Sequence, residues 1–118
     1  MRIPYTLCSI LAVLLLFGCE PGSRGPEMKK EHSRTGVPIT VTVYEHDSYT
    51  DVTQALTQFQ RERGQPRSAD PSLGWAAWDH QPPYECDIHV KPPKYLNDDD
   101  MLTLGHEMAH CLYGSYHE

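Results

Sequence analysis

Positive charge is scarce in this chain: ten Lys and Arg stand against sixteen Asp and Glu in 118 residues, a net charge of −6 with histidine neutral. Such a balance repels a phosphate backbone, which disfavours nucleic acid as a partner, and it gives no electrostatic hold on anionic lipid. Long apolar runs are also missing. The uncharged stretch from Leu7 to Phe17 falls short of the roughly 20 apolar residues that a bilayer-spanning helix needs. A calcium loop is absent too, because Asp98-Asp99-Asp100 lacks spaced oxygen ligands and a turn glycine; three consecutive acids suit the positive end of a helix instead.

What is present begins with Arg2, the short apolar stretch and the small Gly18, which together describe a secretory signal. Leu16-Phe17-Gly18-Cys19 resembles a bacterial lipobox. That resemblance implies a signal peptide over residues 1–18 and acylation of Cys19; the alternative is an ordinary signal peptide or an uncleaved anchor. The resemblance places the protein in the cell envelope, periplasmic or at the outer membrane, joined to the membrane through the lipid on Cys19. Residues 19–36 are rich in Gly, Pro, Ser and charge and nearly devoid of apolar side chains, so they read as a flexible tether. Residues 37–118 are then one small domain.

With Cys8 in the signal and Cys19 acylated, Cys86 and Cys111 remain. In an oxidising compartment they are expected to pair, and closing a loop of about 25 residues contributes about 3 kcal/mol. The alternatives are two free core thiols, or Cys111 touching a metal.

Within the domain, Ile39, Val41 and Val43 alternate with Thr40, Thr42 and Tyr44, which predicts a strand with one buried face. Residues Asp51 to Arg63 predict a helix that lies across the sheet: Val52, Ala55, Leu56 and Phe59 recur at helical spacing and Gly64 stops it. Arg61, Arg63 and Arg67 read as a solvated helix end. Gln65 to Pro83 reads as two short strands or one long loop, with Trp75 and Trp78 in the core and His80 neither ligand nor catalyst. Glu85 to Val90 alternates again and predicts a strand. The expected class is α+β, a short mixed or antiparallel sheet with two helices, the C-terminal one carrying the chemistry.

That chemistry lies in His106-Glu107-Met108-Ala109-His110. Two histidines four apart on a helix project from one face, one turn apart, and converge on a single metal ion, for which zinc is the default. Glu107 sits about 100° around the helix, where it can reach a water without being a ligand. Asn97 to Asp100 offers the helix start and Gly114 the stop, after which the reversed chain can return His117 or Glu118 as third ligand. Met101, Leu104, Met108 and Leu112 form the expected buried stripe, opposite a functional side of Thr103, His106, Glu107 and His110.

This stretch resembles the active-site helix of the zincin metallopeptidases, and most of all the metzincin pattern His-Glu-x-x-His-x-x-Gly-x-x-His. Here Cys111, Leu112 and Tyr113 separate His110 from Gly114, one residue more than in that pattern. The resemblance implies Zn2+ held by His106, His110 and a third side chain, with Glu107 as general base in the hydrolysis of a peptide or protein substrate. It also implies that Asp87 to Val90 pairs with an extended substrate by strand addition; the competing reading is an ordinary central strand. Tyr116, beside His117, is the candidate hydroxyl donor. The alternative is a non-catalytic zinc-binding surface lipoprotein or an envelope interaction module.

Overall fold

The computed structural model describes residues 25–117. The signal peptide expected at 1–18, the acylation site Cys19 and the rival ligand Glu118 lie outside the described residues. Five elements follow one another: strand β1 (Thr40–Glu45), helix α1 (Tyr49–Glu62), strands β2 (Gly74–Trp78) and β3 (Glu85–Val90), and helix α2 (Asp99–Tyr113). The fold is α+β, with a three-stranded mixed sheet in the order β1-β3-β2. β1 runs parallel to β3 and β2 antiparallel to it. Among the described residues, no helix is long and apolar enough to cross a membrane.

Alternation along β3 assigns the two helices to opposite faces of the sheet. Cys86, Ile88 and Val90 are buried with Cys111 of α2, and Leu104, Met108 and Trp78 pack against that cluster. On the other face Trp75 meets Phe59 of α1 and donates its indole N–H to the Val52 carbonyl. The loop-like region from 65 to 83 therefore holds one strand, and its two tryptophans face opposite ways. Close approach of β2 to α2 depends on Gly74, where a Cβ would lie 2.6 Å from Thr103 Cγ2.

Strand addition at Asp87 to Val90 is overturned by the sheet order. β3 is the central strand, paired from Glu85 to Val90 with β1 and from Cys86 to Val90 with β2, so its ladder is filled on both sides. Among the described residues, the outer edges of β1 and β2 are the ones without a partner strand.

Both helices start on side-chain caps: Ser48 accepts from the Asp51 N–H, and Asp98 from the Met101 N–H. α2 stops at Gly114, whose φ of +68° is a backbone region that favours glycine. The expected bridge between Cys86 and Cys111 is formed and pins α2 to the central strand. The amphipathic division of α2 differs from the expected one. Met101 is exposed, whereas Glu107 and His110, assigned to the functional side, are buried. Met101 and Leu102 in the first turn of α2 are exposed, and the helix packs onto the sheet from Thr103 and Leu104 through Met108 to Cys111.

A second difference concerns the tether. Lys29 to Arg34 are docked on the end of α2, the N–H groups of Glu31 and Arg34 donating to the carbonyls of Tyr113 and Leu112 at 3.0 and 2.9 Å. The last carbonyls of a helix have no partner within it, and these donors supply one. Polar composition misled here because the docking uses backbone groups rather than apolar side chains.

Candidate metal centre

Helical spacing sets His106 and His110 one turn apart, and the turn at Gly114 brings His117 back to them. One ring nitrogen from each of the three lies within 4.8 Å of the others, so the trio can hold a metal ion. The rings form a nearly equilateral triangle, with centroids 5.1 Å apart for His106 and His110, 5.0 Å for His106 and His117, and 4.8 Å for His110 and His117. His80 is not part of it; it pairs with Glu31 at 3.1 Å.

The trio passes a chemical test for a metal. His110 Nδ1 lies 2.8 Å from the Gly114 carbonyl, which can only accept, so Nδ1 carries the proton and Nε2 presents a lone pair. That Nε2 is 3.0 Å from Nε2 of His117. Tetrahedral coordination at a zinc–nitrogen length of about 2.0–2.1 Å separates two donors by roughly 3.3 Å, so His110 and His117 are already near that spacing, while the trio as a whole lies within 4.8 Å. Protonation states agree. Burial, followed by His110 and His117, holds His106 below the usual imidazole pKa. His110 is lowered by burial and, to a smaller degree, by His117, against an upward pull from the Gly114 carbonyl. Neutral imidazole is the form that binds a cation.

Glu107 is only 6 % exposed. Burial pushes its carboxyl up to about 7. It lines a cleft of about 290 Å3 with Leu73, Gly74, Leu102, Thr103 and His106. His106 also borders a larger cleft, about 760 Å3, whose walls include Met28, Leu96, Met101, Leu102 and Tyr116. Leu96 and Leu102 are 91 % and 75 % exposed, an apolar rim beside the histidines. A third groove, about 620 Å3, runs along α1 past Arg61 and Arg67, away from the histidines.

Tyr116 stands at the site with its hydroxyl donating to the His106 carbonyl at 3.0 Å. Burial, then the Glu107 carboxylate, raises its pKa. Two parts of the site had no signal in the sequence. Trp78 packs on the core cluster as expected, and its contact with the metal-site residue His110 is the part without a signal. Glu31, in the expected tether, accepts the Ser115 N–H at 3.1 Å across a separation of 84 residues. No protein-family model, curated protein or solved structure matches the chain, so the chemistry of the site rests on its own geometry.

Proposed function

We propose that the protein is a zinc-dependent peptidase of the cell envelope, held to a membrane through lipid on Cys19, with His106, His110 and His117 as the metal ligands. The observation that carries this reading is a buried carboxyl, Glu107, on a cleft wall shared with one of three converging imidazoles. An all-imidazole donor set suits zinc, and three protein ligands leave a position open, as catalytic rather than structural sites do. Bound zinc supplies a Lewis acid that makes water acidic near neutral pH and polarises a carbonyl.

The chain's own residues do the rest. Glu107 would take a proton from the attacking water and return it to the departing amide nitrogen. Tyr116 can donate to the oxyanion only by releasing the His106 carbonyl, so its first task is to brace the ligand helix. Strand addition moves from β3 to β2. β2 runs beside α2 from Gly74, on the cleft wall with Glu107, to Trp78, stacked on His110, and its outer edge offers a ladder to an extended peptide. The apolar rim at Leu96 and Leu102 suits a large apolar side chain next to the cleaved bond.

Glu107→Gln tests the reading. The variant is expected to keep one zinc per chain and to lose about 10²–10⁴-fold in cleavage of an apolar-rich peptide library. A wild-type cleavage rate in that variant overturns the role of Glu107. Stoichiometric zinc with no cleavage in the parent protein leaves the non-catalytic zinc-binding lipoprotein as the reading.

A further inference from the structure

The site is completed by a segment that precedes the domain in the chain. Lys29 N–H donates to the Tyr116 carbonyl at 3.1 Å, and Glu31 N–H reaches the carbonyls of Tyr113 and Ser115, both at 3.0 Å. The Glu31 side chain spans the same turn. One carboxylate oxygen accepts the Ser115 N–H at 3.1 Å, and the other accepts from His80 Nε2 at 3.1 Å, with His32 Nδ1 3.6 Å away. The Ser115 bond, more than the nearby histidines, holds the carboxyl below the usual carboxylate range. Packing is tight beneath it: a Cβ on Gly114 would lie 2.8 Å from His32 Cε1 and 3.0 Å from Glu31 Cβ.

The segment is also fastened at its far end. Arg34 is 6 % exposed, its guanidinium donates to the Asp79 carbonyl and covers the Tyr84 ring at 4.2 Å. Ser115 and Tyr116 are the only residues between Gly114 and His117, and both take bonds from this strap. His117 itself is exposed. A ligand on an exposed terminal turn reaches its partners reproducibly only when the backbone beneath it is held.

We propose that Glu31 is a positioning residue of the metal centre, its carboxylate fixing the Ser115–Tyr116 turn so that His117 completes the tripod. This inference rests on the metal-centre reading above and extends it to a residue outside the motif.

Zinc affinity by chelator competition, and the visible spectrum of the cobalt(II)-loaded protein, test it in the full-length protein. Glu31→Ala is expected to weaken zinc binding by about 10–100-fold and to shift the cobalt spectrum to that of His117→Ala. Glu31→Gln, whose amide oxygen still accepts from Ser115, is expected to recover most of the affinity. In a His117→Ala background, Glu31→Ala is expected to cost nothing further, since the ligand it positions is gone. Unchanged affinity and spectrum in Glu31→Ala overturn the proposal, as does an equal loss in both backgrounds. Should Glu31→Ala fail to fold, Glu31→Asp keeps the charge and withdraws the carboxyl by one methylene; wild-type affinity there overturns the proposal equally. A parent protein that binds no metal overturns the metal-centre reading itself, whereas tight zinc that is indifferent to Glu31 overturns only this inference.

Discussion

Trp78 lies flat against His110, the two rings 8° from parallel with centroids 5.3 Å apart. On its other side the imidazole is fixed by the Gly114 carbonyl, so one ligand is held in plane by the strand and in rotation by the helix end. Removing the indole frees the plane. Trp78→Ala is expected to weaken zinc binding by about tenfold or more, and Trp78→Phe, which keeps a ring, by less. Calorimetric titration of zinc into the metal-free variants measures this, and equal affinity in Trp78→Ala refutes it.

Zinc is expected to stabilise the fold, because three of its ligand side chains come together only when the turn after α2 is formed. At free zinc about a thousandfold above Kd the gain is about 4 kcal/mol, and each kcal/mol moves the melting temperature of a domain this size by about 4–8 °C. Differential scanning fluorimetry with zinc and then with chelator gives the readout. His106→Ala and His117→Ala should each remove most of the shift while leaving the metal-free melt close to that of the parent, since both side chains are exposed.

The bridge between Cys86 and Cys111 closes a sequence separation of 25 residues. Replacing both cysteines with alanine is expected to lower stability by about 3 kcal/mol, measured by urea unfolding. Zinc affinity is expected to fall as well, because Cys111 is the neighbour of His110 and the bridge anchors that turn to β3.

Much of this site was legible in residues 99–117, because helix periodicity is a local property: spacing alone put His106 and His110 together, and Gly114 announced the reversal that returns His117. Cys86 and Cys111 were legible by elimination once the leading cysteines were assigned to export. Three features could not be read. The central position of β3 was open in the sequence as the rival to strand addition, and alternation could not decide it because it reports faces, not neighbours. Trp78 and Trp75 are both large aromatics in one strand, and only the sheet's two-sided packing separates a core residue from a ligand's neighbour. Glu31 acts across nearly the whole chain, through a carboxylate and backbone amides that leave no periodic trace.

Acid is expected to destabilise the metal-free protein. Burial, then the neighbouring His46, lowers His89 to about 4 from the ordinary 6.5, and the His89 ring is stacked between Trp75 and Tyr44. An unfolded chain takes up that proton near pH 6.5 while the folded one refuses it until about 4. The contribution of His89 is therefore complete above pH 6.5 and lost as pH falls towards 4, by at most about 1.4 kcal/mol per pH unit and less for a ring partly open to solvent. His32, His106 and His110 are lowered in the same direction and add to the slope. Urea midpoints measured from pH 7 to pH 4 should decline, and His89→Gln should flatten the decline; an unaltered slope in that variant refutes the assignment.

One covalent tie joins the middle of the sheet to the turn that carries a metal ligand, and thermodynamic reciprocity gives it a second meaning. Whatever factor the bridge adds to the grip on zinc, zinc adds to the resistance of the bridge against thiols. If the centre takes zinc as proposed, the loaded protein is expected to be harder to reduce and the reduced protein to bind the ion more weakly, by the same factor.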